Sequence, residues 1–137
     1  MDPLIGMQIG NYLIQDSLGQ GGMARVYKGL DITLKRPVAI KVIEDSAQAS
    51  GTMAQRFARE AEAVANLHHP NIVSVYYFGN QSNLFYLVME YIDGSDLDSV
   101  LRSYSTNNEL MPYADVIRIL EVMASALDYA HAQGVIH

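Results

Sequence analysis

The feature that most constrains this chain is a glycine-rich run, LGQGGMARVYK at residues 18–28, followed ten residues later by VAIKV. Glycines at this density serve either as flexible connectors or as places where backbone comes close to a ligand. The segments at 12–18 and 24–30 have the composition of short strands, so the glycines join two strands in a hairpin. PVAIKVI at 37–43 is a third strand, rich in β-branched residues.

Three phosphate-binding motifs compete for GQGGMA at residues 19–24. A Walker loop needs G-x-x-x-x-G-K-[ST], which the sequence does not contain. A dinucleotide fingerprint requires glycines that open a helix after a strand, whereas strand-like residues follow here. The remaining motif is a turn between antiparallel strands whose backbone N–H groups face phosphates. An ordinary hairpin turn without a ligand is the alternative, and for isolated glycines it is the commoner case.

The strand VAIKV has two different faces. Alternation places Val38, Ile40 and Val42 on one face, and Ala39 and Lys41 on the other. A small residue beside a lysine leaves space for a flat ligand and supplies a positive charge for its phosphates. A solvated lysine on an edge strand is the alternative.

A helix with one buried face is predicted over residues 53–67, where apolar residues recur at a spacing of three to four. Glu60 lies within this apolar stripe, three residues after Phe57. A carboxylate in that position is costly unless a cation meets it, which favours a pair with Lys41. A surface ion pair between Glu60 and Arg56 is the alternative.

The rest of the chain completes a mixed α and β pattern. Two further strands are predicted at 71–79 and 84–92, joined by the turn NQSN. Helices are predicted at 96–103 and 112–133. Because the last helix is apolar on more than one face, we expect protein on most of its sides, and the chain looks unfinished at its C-terminus.

Composition excludes several classes of function. The chain has no Cys, so it has no disulfide or thiolate site, and its four histidines do not form a metal-ligand pattern. A formal net charge of −6 argues against nucleic acid or an anionic membrane as the main partner. No apolar run reaches the roughly 18 residues that cross a bilayer, and the N-terminus lacks signal-peptide features. We therefore expect a cytoplasmic segment that binds no metal through its own side chains.

The order of these motifs resembles the N-terminal lobe of a protein kinase. The glycine-rich hairpin, the V-A-I-K strand and the helix with Glu60 are followed by HPNIV and LVMEYIDGSDL. The final YAHAQGVIH is similar to the segment that leads into the H-R-D catalytic loop, and the glycine-rich run is most similar to bacterial Ser/Thr kinases of eukaryotic type. The resemblance covers about residues 8–137.

This resemblance implies an α+β fold. Residues 1–92 would form a kinase N-lobe and hinge, with a five-stranded antiparallel sheet, one helix and a core that starts at about residue 11. Residues 93–137 would form the first helices of an incomplete helical C-lobe.

The resemblance also implies that ATP binds with its phosphates under the glycine-rich turn. The residues that would cover the phosphates are Gly19, Gln20, Gly21, Gly22, Ala24 and Val26. Ala24 stands where the family has its third glycine, and Gly22 is an additional glycine, so the turn departs from the family pattern. Lys41 would pair the α- and β-phosphates and would be held in place by Glu60.

Adenine and ribose would meet a second group of residues. Those that would enclose the adenine ring are Leu18, Val26, Ala39 and Met89. Backbone groups of Glu90 and Ile92 would meet the adenine edge. Asp96 stands where family members reach the ribose hydroxyls, and it can serve at the same time as a helix cap.

The residues that perform phosphoryl transfer in the family would follow His137. These are the catalytic Asp and the Asn and Asp that bind Mg²⁺. We therefore expect the ATP-binding portion of a Ser/Thr protein kinase that acts on protein hydroxyls, with the 137 residues inactive by themselves. A membrane anchor further along a full-length protein is compatible with this view. The alternative is a non-catalytic nucleotide-binding or protein-interaction module, either a free-standing N-lobe or a pseudokinase.

Overall fold

The computed structural model describes residues 2–21, 24–44 and 52–136. Backbone contacts divide the chain into two compact units. The first comprises Met1–His68 and Val73–Tyr91, and the second comprises His69–Ile72 and Ile92–His137. The sequence predicts one boundary after residue 92. The structure differs mainly at the short segment His69–Ile72, which belongs to the second unit.

The first unit is an antiparallel sheet with one helix. Within the described residues its strands are β1 (Gln8–Ile9), β2 (Tyr12–Gly21), β3 (Ala24–Asp31), β4 (Arg36–Glu44), β5 (Val75–Gln81) and β6 (Leu84–Glu90). Helix α1 (Thr52–Ala65) lies between β4 and β5 in the chain. The strand order in the sheet is β1-β2-β3-β4-β6-β5.

Two details of the sheet differ from the sequence prediction. The structure has a sixth strand, β1, because two residues are too short to show an alternating pattern in the sequence. Strand β5 starts at Val75, four residues later than predicted. The turn between β5 and β6 is formed at Ser82 and Asn83, which both have positive φ, of 53° and 63°.

One face of the sheet carries the larger apolar core. Val38, Ile40 and Val42 all point to this face, as their alternation predicts. The members of the core are Leu4, Ile9, Ile14, Tyr27, Val38, Ile40, Val42, Leu84, Tyr86 and Val88. The N-terminal segment covers part of this face, and the hydroxyl of Tyr27 donates a hydrogen bond to Oδ2 of Asp2 at 2.8 Å.

The opposite face of the sheet packs against α1. Phe57 and Ala61 of the helix are buried in a second cluster with Ala24, Ile43 and Leu87. The helix therefore buries Phe57 and Ala61 of the predicted stripe, Val64 is half-buried, and Leu67 just after the helix end is buried. Ala39 and Lys41 alternate with the buried residues of the first core, so their side chains lie on this helix-covered face.

The second unit consists of two helices, α2 (Leu97–Thr106) and α3 (Tyr113–Ala132). Asp96 is the N-cap of α2, and its Oδ1 accepts a hydrogen bond from the N–H of Ser99 at 2.7 Å. Pro112 precedes α3, and Gly134, with φ of 80°, follows its end. No residue of α2 is buried, and Ala130 is the buried residue of α3.

Candidate functional site

The glycine-rich strand, β3 and β4 meet in one row across the sheet. The register places Gly19 opposite Val26, and Val26 opposite Lys41. Cross-strand partners project their side chains to the same face, so Val26 and Lys41 lie side by side on the face that packs against α1. The sheet register thus brings together three residues that the sequence assigns to one phosphate site.

Lys41 and Glu60 are in contact. Nζ of Lys41 lies 3.3 Å from Oε1 of Glu60, although the two residues are 19 positions apart. Nζ of Lys41 also lies 5.7 Å from the centroid of the Phe57 ring, so α1 contributes two of its neighbours. Among the described residues Glu60 does not pair with Arg56, which was the surface alternative.

Glu60 is more exposed than its predicted place within the apolar stripe implies. Its side chain is 64% exposed and that of Lys41 is 28% exposed, so the pair is reached by water. Glu60 follows Phe57 by three residues, so in a helix its side chain points about 60° away from that of Phe57. This direction places Glu60 at the edge of the apolar stripe. An ion pair this exposed adds less than about 1 kcal/mol to stability. Its main effect is therefore to orient the ammonium group.

The residues of the glycine-rich run occupy different environments. A Cβ added to Gly19 would meet no heavy atom within 4 Å, so packing does not require a glycine there. Leu18 is an exposed apolar residue at the same strand. Gln20 and Gly21 pair with Arg25 and Ala24 in the β2–β3 ladder, and Gly22 lies outside the described residues.

Ala24, at the family's third glycine position, has a packing role. Its side chain is buried in the cluster that joins the sheet to α1, with Phe57 and Leu87 among its members. A Cβ that points into this cluster gains apolar contacts. The substitution is therefore explained by the local core.

Three of the residues expected around adenine, Val26, Ala39 and Met89, lie on the same face as Lys41. Ala39 is directly opposite Met89 in the ladder between β4 and β6, and Met89 is packed against the helix-side cluster. Glu90 is held by Ser74 at two points: its N–H donates to the Ser74 carbonyl at 2.9 Å, and its carboxylate accepts from the Ser74 N–H at 3.3 Å. These contacts fix the end of β6.

Ile92 and Asp96 belong to the second unit. Ile92 is exposed. The pKa of Asp96 is held below its usual range, first by a hydrogen bond with the Ser99 side chain and then by one with the Ser99 N–H. The cap role expected for Asp96 is therefore present, and a ribose contact stays a prediction.

His69 is the histidine with the most contacts given by the structure. Within residues 2–21, 24–44 and 52–136, no group of three or more His, Asp or Glu could hold a metal ion. His69 instead packs inside the second unit, where its ring lies 5.3 Å from that of Tyr129 and its Nε2 lies 3.2 Å from Oγ of Ser125. Its Nδ1 accepts a hydrogen bond from the Asn71 N–H at 3.1 Å.

One contact on the site face was missed by the sequence analysis. Nζ of Lys28 lies 4.9 Å from the centroid of the Tyr91 ring. Lys28 is two residues after Val26 on β3, so alternation alone places it on the site face. Its partner could not be found without the register of the sheet, because 63 residues separate the two in sequence.

Residues 12–137 match the protein kinase domain family, and the chain belongs to that family. Its relatives include bacterial kinases. It is 39% identical over 135 residues to the serine/threonine-protein kinase PrkC of Bacillus subtilis, covering 98% of this chain and 20% of that protein. It is 38% identical over 132 residues to the serine/threonine-protein kinase PknF of Mycobacterium tuberculosis, covering 96% of this chain and 27% of that protein.

Solved structures agree with the sequence relatives. The PknI kinase domain of M. tuberculosis superposes with a TM-score of 0.79 at 30% identity, covering 97% of this chain and 52% of that chain. The chain thus spans about half of that kinase domain and about a fifth to a quarter of the curated relatives' length. In the described part of the chain, no helix has the length and apolar character needed to cross a bilayer.

Proposed function

We propose that this chain is the ATP-binding portion of a Ser/Thr protein kinase that transfers the γ-phosphoryl group of ATP to protein hydroxyls. The observation that carries the proposal is the contact between Lys41 and Glu60, in register with Val26 and Gly19. The proposed cosubstrate, ATP, is abundant in the cytoplasm, where we expect the enzyme to act. Protein substrates are its proposed partners.

Several properties of the site face fit a nucleoside triphosphate. Lys41 presents an ammonium group that Glu60 orients, and a fixed cation interacts with phosphate oxygens by charge-assisted hydrogen bonds. The space around Gly19 allows an approach of backbone to phosphate without a clash. Ala39 is the smallest side chain in its row, between Lys28 on β3 and Met89 on β6.

The described residues do not supply a ligand set for Mg²⁺, since they contain no cluster of three or more acidic or histidine side chains. In the family the metal neutralises charge on the β- and γ-phosphates. In this chain the described residues would bind and orient the nucleotide. We propose that residues 1–137 alone do not transfer phosphate, because no H-R-D or D-F-G sequence occurs among them.

The proposal is tested by phosphoryl transfer from labelled ATP to a mixed protein substrate, with the full-length gene product. We expect labelling of Ser and Thr, reduced at least about 100-fold by Lys41→Met. Lys35→Met, at an exposed lysine in the β3–β4 turn, is the matched control and should retain activity.

Two results would revise the proposal. Binding of ATP by the full-length product without transfer would favour the non-catalytic nucleotide-binding module. Labelling by residues 1–137 alone, above the level of their Lys41→Met variant, would contradict the predicted inactivity of this segment.

A further inference from the structure

The site face carries a second lysine whose surroundings differ from those of Lys41. Lys28 and Lys41 lie on the same face of neighbouring strands. Lys41 contacts a carboxylate, whereas the ammonium of Lys28 lies 4.9 Å from the centre of the Tyr91 ring. Tyr91 is the first residue after β6, at the end of the first unit.

The Lys28 side chain crosses a neighbouring strand. Its position pairs with Ala39 on β4, and Ala39 pairs in turn with Met89 on β6. Neighbouring strands are about 4.8 Å apart, so β3 and β6 are separated by about 10 Å. Lys28 therefore reaches over β4 to contact Tyr91, and it does so at the position where β4 carries the small side chain of Ala39.

A carboxylate is available to Lys28 but is not used. Asp16 is its cross-strand partner on β2, yet among the described residues no ion pair joins the two. A lysine that extends towards an aromatic face gains a cation–π attraction and covers apolar surface with its methylene groups. The contact links β3 to the residue that follows Glu90.

We infer that Lys28 and Tyr91 are positioning residues that hold the backbone at Glu90 and Tyr91 for recognition of the adenine ring, whereas Lys41 and Glu60 serve the triphosphate. This inference rests on the proposed ATP site. In this division, Lys28 serves the adenine part of the site and Lys41 serves the triphosphate part. A substitution in one part should weaken only those ligands that contact that part.

The test compares two ligands, ATP and inorganic tripolyphosphate, which lacks the adenine and ribose. Dissociation constants are measured on the full-length gene product and four variants: Lys28→Met, Lys28→Arg, Tyr91→Leu and Tyr91→Phe. We expect Lys28→Met and Tyr91→Leu to weaken ATP about 2- to 5-fold, the size of a partly exposed cation–π contact. Lys28→Arg and Tyr91→Phe keep a cation and a ring, and should bind ATP as the unchanged protein does.

The comparison with tripolyphosphate distinguishes a positioning role at the adenine ring from a general structural role. Its affinity should be the same in all four variants, because Lys41 and the glycine-rich turn are intact. The double variant Lys28→Met with Tyr91→Leu should be no weaker for ATP than either single variant, since both remove one contact.

Three results would overturn the inference. The first is unchanged ATP affinity in Lys28→Met, and the second is an equal loss of ATP and tripolyphosphate, which would indicate a general structural role. The third is failure of Lys28→Arg or Tyr91→Phe to restore binding. If the unchanged protein binds no ATP at all, the proposed function itself fails, and that result is seen before any variant is measured.

Discussion

The two units of this chain bury their apolar residues to very different extents. In the first unit, side chains on both faces of the sheet are covered, and Ile40, Val38 and Val88 have no exposed surface. In the second unit, apolar residues along both helices remain open, with Leu120 of α3 55% exposed. The first unit thus has a core of its own, whereas the described residues of the second unit leave most of its apolar side chains exposed.

The same contrast separates the site residues. Among the described residues, those proposed for the phosphates and most of those proposed for adenine lie on strands and a helix of the first unit, where register and packing fix them. Ile92 and Asp96 lie in the second unit. Substitutions in the first unit should therefore have large and local effects, and equivalent changes in the second should be tolerated.

The largest expected difference is between two apolar truncations. Ile40→Ala removes a fully buried side chain and should lower the free energy of unfolding by about 2–5 kcal/mol. Leu120→Ala, at an exposed position of α3, should change it by less than about 0.5 kcal/mol. Urea unfolding of both variants, made in residues 1–137, measures the difference. Equal losses would mean that Leu120 is covered, and the contrast between the units would be lost.

A smaller effect is expected from the buried carboxylate of the β3–β4 turn. Asp31 is 4% exposed, and its Oδ1 accepts hydrogen bonds from the N–H groups of Thr33 and Leu34, at 3.0 and 2.9 Å. Asp31→Ala leaves these donors without their partner and should cost about 1–3 kcal/mol in thermal or urea unfolding. Asp115→Ala on α3 is the matched control and should cost less than about 0.5 kcal/mol, because its contact with Arg118 is at the surface.

The smallest effect is a pH dependence at the N-terminal segment. The pKa of Asp2 is lowered first by the N–H of Leu4 and then by the Tyr27 hydroxyl. A lowered pKa in the folded state adds stability above the ordinary value of 3.8, and this stability is lost as the pH falls through the lower folded value.

This pH dependence can be measured as unfolding of the first unit between pH 7 and pH 3. Asp2→Asn should reduce the loss of stability over that range, and Tyr27→Phe should reduce it less, because the Leu4 contact is retained. An unchanged pH profile in Asp2→Asn would show that the N-terminal segment does not hold this face of the sheet.

Much of the site follows from local sequence patterns. Alternation in β4 separates the core residues from Ala39 and Lys41, and helical spacing places Phe57 against the sheet. What these patterns cannot provide is the register between distant strands. The contact of Lys28 with Tyr91 depends on that register.

Side-chain exposure is also poorly predicted from spacing. Glu60 shares its helix turn with buried residues, but a rotation of about 60° is enough to bring its carboxylate to water. Strand β1 was not predicted, because a strand of two residues is too short to show an alternation of apolar and polar residues. The hydrogen bond between Tyr27 and Asp2 could not be predicted either, because no local sequence pattern around the two residues indicates that they meet.

The central claim is that the first unit binds ATP through Lys41, and a calorimetric titration of ATP into the full-length gene product tests it most directly. We predict saturable binding that Lys41→Met weakens at least about tenfold, the size of a lost charge-assisted hydrogen bond, while Lys35→Met binds within about twofold of the unchanged protein. Absence of binding, or equal binding by Lys41→Met and Lys35→Met, would contradict the claim.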